Sequence, residues 1–381
     1  MDQFQGDSLR RDPRGLLGWT YFSGDGSARM DFGATGHGHA AIEVDATHDK
    51  RNIWWALIRR CVSGHMDLNL LANETYALRI ESRIRVSHAP RRVNLHLNTQ
   101  RTTNFHSFLM EFDIPDTTQW HTISMTARGF DAVPGDTIYG QLALMDWGPG
   151  QYRVNLDYFR VDIVRVDTAG PDKGVQVAYH PPLPDPATLA YHLPVAQDAM
   201  IDREYPSMSF ATWSVQERAA RINVLTVSAS QYAVLRWDFT AFRGKTAAGP
   251  AVLDLTTYAC QRDPRFSRDF GMIRISEITG GDTTWSRETV TFDSFCNGDP
   301  FSHAVNPQMI VDVNVAEQKG EKTLAVISRP VMQRLLEGRS RGLAILPLGA
   351  IQASLYATGN RGAAPSAVLH LNLVPRRPSD P

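Results

Sequence analysis

The stretch Arg92 to Asp113, RVNLHLNTQRTTNFHSFLMEFD, gathers two imidazoles, several carboxamides and two guanidiniums within about twenty residues. Val93, Leu95 and Leu97 alternate with Arg92, Asn94, His96 and Asn98, the period of a strand with one apolar and one polar face. Thr99 to Asn104 is a polar break, and Phe105 to Phe112 resumes as a second strand carrying His106 and Glu111, so the two runs are expected to pair as a hairpin. Cross-strand neighbours on one face stand about 5 Å apart, which would let His96 and His106 reach one substrate atom from a solvent-facing surface. A neutral imidazole can take a proton at neutral pH, and the two histidines are assigned here as acid and base. Arg101 or Arg85, together with Asn98, would hold a carboxylate, since a planar guanidinium matches that group bidentately.

Other groups fit around this pair. Tyr158, on the last strand of the first half, would give or take a proton. Asn94, Asn98, Gln100, Arg85 and Lys50 would bind substrate, and Trp54 of the Trp54-Trp55 pair would stack on a sugar ring. Lys50, Arg51, Arg59, Arg60, Arg83, Arg85, Arg92 and Arg101 concentrate cationic charge in this half. Glycoside hydrolysis needs two carboxyl groups flanking the bond. Glu111 and Asp113 share one strand face and make a poor opposed pair, so hydrolysis is the weaker enzymatic reading. His37-Gly38-His39 lies in a glycine-rich loop without a third ligand nearby, and no metal is assigned to the site. No cofactor is required by this chemistry, which leaves room for a structural calcium ion.

Composition narrows the class. The chain has 381 residues, 43% hydrophobic and 21% charged, with a formal net charge of -1, which suits soluble globular domains with ample cores. A sequence pI of about 6.9 offers no basic field for nucleic acid. Apolar runs fall well short of the roughly 20 residues of a membrane span. The first fifteen residues lack an apolar h-region; the expectation is a cytoplasmic protein, or a secreted or periplasmic one from which a signal segment has been removed. Cys61 stands alone, while Cys260 and Cys296 would bridge only if strand pairing brought them together.

Strand-like runs follow one another at Ala40–Val44, Tyr76–Val86, Val93–Asn98, Phe105–Phe112, His121–Ala127, Thr137–Met145 and Tyr152–Val166. Helical periodicity is confined to Val331–Glu337 and Asn52–Arg60. Short strands separated by Gly, Pro, Asp and Asn predict an all-β fold, sandwich or barrel. Residues 167–190 carry five prolines without alternation and read as a linker or an extended wrap lying along one of the two domains. A second strand series follows from Gln197 to Val374. The expected organisation is a jelly-roll domain at 1–166 bearing the site, the linker, and a second jelly roll at 191–381.

Gly18-Trp19, Glu74-Thr75-Tyr76-Ala77-Leu78, Gln119-Trp120-His121-Thr122-Ile123 and the closing run Tyr152–Val161 resemble the jelly-roll carbohydrate-binding modules found beside glycan-degrading enzymes. Gln197-Asp198-Ala199, Tyr232–Phe239 and Thr284–Phe292 resemble the DNRLRE-type domain of carbohydrate-active proteins, with Phe292 where that family's pattern ends in Trp. His, Arg, carboxamides and Tyr on a β-face also form the set used by jelly-roll polysaccharide lyases. Those enzymes remove the proton α to a uronate carboxylate, which a cation must neutralise as the enediolate develops. The resemblances thus imply a lyase or dehydratase acting by β-elimination on acidic polysaccharides or oligosaccharides. The alternative is a pair of modules that hold a glycan unchanged. Fold alone does not choose between them.

Overall fold

The computed structural model describes residues 11–12, 15–16, 18–23, 29–47, 55–104, 107–145, 151–177, 182–217, 220–262, 271–360 and 366–376. The chain divides into two compact units, Met1–His180 and Pro181–Pro381, and each is an all-β sandwich. Among the described residues no helix is long and apolar enough to cross a membrane.

Unit 1 begins with a two-stranded ribbon of β1 (Arg11–Asp12) and β2 (Gly15–Leu16). The strands that follow are β3 (Trp19–Ser23), β4 (Arg29–Ala34), β5 (Ala40–Asp45), β6 (Trp55–Cys61), β7 (Tyr76–Val86), β8 (Arg91–Thr99), β9 (Leu109–Ile114), β10 (His121–Ala127), β11 (Ile138–Met145), β12 (Gln151–Arg165) and β13 (Gln176–Val177). One sheet has the order β10-β7-β12-β5-β4 and the other β13-β9-β8-β11-β6-β3. Alternation decides what meets between them. Leu78, Ile80 and Ile84 of β7 and Val93, Leu95 and Leu97 of β8 belong to one buried cluster. Burying such side chains contributes about 1.5–3 kcal/mol each. Trp19 anchors the cluster, edge-to-face with Phe32 (5.4 Å) and Phe159 (5.0 Å). Gly140 lies over it because a Cβ there would come within 2.8 Å of Val161 Cγ2.

One expectation changes, and the wrap reading of the proline-rich stretch applies to its first half. Asn52–Arg60, read as a helix, contains the start of β6 from Trp55 onward; its apolar residues serve a two-faced strand, and short apolar runs do not separate the two periods. The first half of the proline-rich stretch is tied into unit 1. Asp113 N donates to Val175 O at 2.8 Å, β13 pairs with β9, and the Arg79 guanidinium donates to Asp172 Oδ1 at 3.2 Å and Pro171 O at 3.1 Å.

Unit 2 contains β14 (Tyr191–Pro194), β15 (Gln197–Asp202), β16 (Ser214–Glu217), β17 (Ala220–Val227), β18 (Gln231–Arg236), β19 (Lys245–Ala247), β20 (Ala251–Arg262), β21 (Gly271–Ile278), β22 (Val305–Val313), β23 (Lys322–Ile327), β24 (Gly342–Gly349), β25 (Ile351–Tyr356), β26 (Val368–Leu371) and β27 (Leu373–Pro375). Its helices are α1 (Phe292–Cys296), α2 (Phe301–Ala304) and α3 (Arg329–Leu336). The sheet β15-β18-β24-β21-β22 faces the sheet β14-β26-β20-β25-β17-β16, with β23 also paired to β20 and a separate β19–β27 pair. A second apolar cluster contains Ile201, Tyr232 and Val234 with Trp285, Phe295 and Ala304, so the segment carrying α1 and α2 covers the other face of that five-stranded sheet. Thr291 and Ser294 close a capping box at the start of α1. Cys260 and Cys296 are free thiols, and burial pushes the Cys296 thiol up to about 11.

Candidate functional site

The polar residues of β8 lie on the face of the six-stranded sheet that points away from the apolar core. Register fixes the neighbours of each. His96 is opposite Leu109 on β9 and Gln141 on β11; Gln141 is opposite Arg59 on β6, and Arg59 is opposite Thr20 on β3. One row of side chains therefore crosses five strands. The next row holds Asn98, Tyr139 and Cys61, and the preceding rows hold Asn94 with Glu111 and Arg92 with Asp113.

Hydrogen bonds join these rows. The Gln141 carboxamide nitrogen contacts His96 Nδ1 at 3.1 Å and donates to Asn98 Oδ1. With Gln141 as donor, His96 Nδ1 is the acceptor and the ring proton sits on Nε2. Asn98 Nδ2 in turn donates to Thr99 O at 3.1 Å. Arg59 donates from Nε to Thr20 Oγ1 at 3.2 Å and lies 4.8 Å over the Tyr139 ring. Arg92 stands 3.6 Å from the Glu111 carboxylate.

The expectation of a solvated face does not hold. Asn94 is 2% exposed, Asn98 5% and His96 9%, so these groups lie in a setting of low dielectric, where each hydrogen bond gains electrostatic weight. Exposure rises toward the end of the face where Thr20, Arg59 and Tyr139 are half-buried and Cys61 is exposed.

The remaining expected site residues separate. Tyr158 and Arg85 belong to the other sheet. A register shift between Leu156 and Tyr158 keeps Leu156 inward and turns Tyr158 outward opposite Arg83, with both sheets and the core between it and His96. Tyr158 donates to Glu81 Oε1 at 2.7 Å, and burial together with that carboxylate pushes its pKa up to about 12, the wrong direction for a base at neutral pH. The Arg85 guanidinium lies 5.1 Å over the Trp120 ring. Arg101 and Gln100 sit in the turn after β8 and clamp a carboxylate of this protein. Arg101 donates to Asp136 at 2.7 and 3.0 Å, Gln100 Nε2 donates to Asp136 Oδ1 at 2.8 Å, and Gln100 Oε1 accepts from Thr137 N at 2.8 Å. The Arg101 guanidinium holds the Asp136 carboxyl far below the usual carboxylate range. His106, Lys50 and Trp54 lie outside the described residues. Among the described residues no group of three or more His, Cys, Asp or Glu is placed to hold a metal ion.

Gln141, Tyr139 and Thr20 were not anticipated. The alternation of Tyr139, Gln141 and Ala143 in β11 was visible, but its register against His96 is a tertiary fact.

No family model and no curated protein matches the chain, so the DNRLRE-type resemblance rests on its residues alone. Solved structures similar to it include a family 11 carbohydrate-binding module from Clostridium thermocellum in complex with β-1,3-1,4-mixed-linked tetrasaccharide (14% identity, 39% of this chain and 91% of that chain, TM-score 0.26). Another is the tandem CBM22-1-CBM22-2 domain of Paenibacillus barcinonensis Xyn10C (7% identity, 95% and 94% covered, TM-score 0.25). A third is the Endo-D glycoside hydrolase domain from Streptococcus pneumoniae R6 (10% identity, 82% and 37% covered, TM-score 0.26). At these TM-scores the likenesses carry neither fold nor ligand to this chain.

Proposed function

We propose that unit 1 binds a carbohydrate on the face of β3, β6, β11, β8 and β9, and leaves it chemically unchanged. The observation that carries this reading is the His96–Gln141–Asn98 network, a set of neutral donors and acceptors in one plane of a sheet, opening toward Tyr139 and Arg59. Sugar hydroxyls both donate and accept, and carboxamides and a neutral imidazole answer both roles. Half-buried Tyr139 supplies a ring face at the open end.

The ligand class follows from the charges. Arg92 is beside Glu111 and the groups around His96 are carboxamides, so the inner rows have little cationic charge to give an acidic sugar; Arg59, held by Thr20 and Tyr139, keeps its charge at the open end. The reading is therefore a neutral glycan. Elimination from a uronate needs a base, a proton donor and a cation on one substrate. Arg85 and Tyr158 are on the opposite sheet and Arg101 is committed to Asp136, which removes support for that chemistry.

The test is calorimetric titration of the full chain with a neutral cello-oligosaccharide and with an oligogalacturonide, while absorbance is followed at the band of an unsaturated uronate. Saturable binding of the neutral oligosaccharide without new absorbance is expected. A rise in absorbance with the uronate would overturn the reading in favour of a lyase.

A further inference from the structure

Unit 2 contains a cavity of about 420 Å³ lined by Arg236, Arg243, Arg341, Trp237, Phe239 and Leu336 among others. The volume lies within the roughly 300–1,000 Å³ of small-molecule sites. Three guanidiniums reach it from three separate segments: the end of β18, the turn after Phe242, and the residue before β24. One carboxylate also lines it, that of Glu337. It accepts from Arg339 Nε and from Gln333 Nε2, each at 2.8 Å, so its charge is already answered by neighbours.

The Arg236 guanidinium is held in place without being neutralised. Arg236 donates to Thr283 O at 2.9 Å and lies 5.2 Å over the Trp285 ring, both of which orient a guanidinium while leaving its charge intact. Arg341 N donates to Ile278 O at 2.7 Å. The next residue, Gly342, has φ +148°, and a Cβ there would come within 2.1 Å of Leu235 O; that close approach fixes the turn from which Arg341 projects. Among the described residues Arg236 and Arg341 make no ion pair, whereas Arg243 lies near enough to the exposed Asp238 carboxylate to help lower its pKa. Trp237 and Leu335 form a buried apolar floor.

We propose that this cavity binds a small ligand bearing an oxyanion, whether phosphate, sulfate or carboxylate, on a ring-sized and partly apolar body. The oxyanion takes the arginines bidentately, and the ring rests on the Trp237 and Phe239 side. The site is independent of the saccharide reading of unit 1.

Tryptophan fluorescence of the full chain would be titrated at low salt with phenyl phosphate, phenyl sulfate and benzoate, with benzyl alcohol as the uncharged control. At least one anion should bind saturably, at least ~10-fold more tightly than benzyl alcohol, since one charge-assisted contact is worth about tenfold or more in affinity. The exposed pair Arg243→Gln with Arg341→Gln should weaken that binding by at least ~10-fold at an unchanged melting temperature. The ranking of the three anions names the head group. Absence of saturable binding by all three, equal binding of benzyl alcohol, or unaltered affinity in the double variant would each overturn the proposal.

Discussion

His96 carries the residue-scale consequence. Its Nδ1 faces the Gln141 carboxamide at 3.1 Å in a nearly buried position. Replacing it with Ala removes one partner of a buried polar group, which costs about 1–3 kcal/mol, more than the few tenths expected of a surface site. Urea denaturation of His96→Ala should show that loss, while Arg83→Ala, at an exposed ion pair with Asp157, should change stability by less than ~1 kcal/mol. A His96→Ala variant as stable as the wild type would contradict the network. The sequence made the identities and the alternation on β8 plain, because period two is local. It could not show that the polar face is covered, nor that Gln141 lies opposite His96, because burial and register depend on strands distant in the chain. For the same reason Arg101 looked free to take a substrate carboxylate when Asp136 already holds it.

At the scale of elements, several strands were legible, since the runs Tyr76–Val86 and His121–Ala127 have the bounds of β7 and β10, while the run read as Phe105–Phe112 yields β9 only from Leu109 to Ile114. The β6 segment was misread because its Trp and Leu spacing suits either period. A sheet edge in unit 2 supplies a pH effect. His192 and His370 are cross-strand partners of β14 and β26, their Nδ1 atoms 2.6 Å apart, and His370 Nε2 lies 3.6 Å from Asp254, which also pairs with Lys322. One ring must donate and the other accept, so charging both places like charges face to face. Burial lowers the His370 pKa below its ordinary 6.5; Asp254 opposes the shift and His192 and Lys322 reinforce it. Between those two values the unfolded chain binds more protons than the folded one, so stability falls as pH drops below about 6.5. The melting temperature should decline from pH 7 to pH 5, and His370→Gln should flatten part of that decline. An identical slope in the variant would remove His370 from the explanation.

For the whole molecule, two sandwiches of similar size use their second faces differently. In unit 2 the segment with α1 and α2 fills that face with Trp285 and Phe295; in unit 1 the corresponding chemistry is carboxamide, imidazole and guanidinium. The central claim is that this polar face of unit 1, and not the outer face of its partner sheet, takes the glycan. Affinity for a neutral cello-oligosaccharide should therefore be measured in the full chain for two sets of variants, with melting temperature confirming a folded protein at the assay temperature. Asn98→Ala and Gln141→Ala should each weaken binding by about tenfold or more, as expected for lost hydrogen bonds in a site of low dielectric. Tyr158→Phe and Arg85→Ala should leave it unchanged. Retained affinity in the first pair, or loss in the second, would contradict the account.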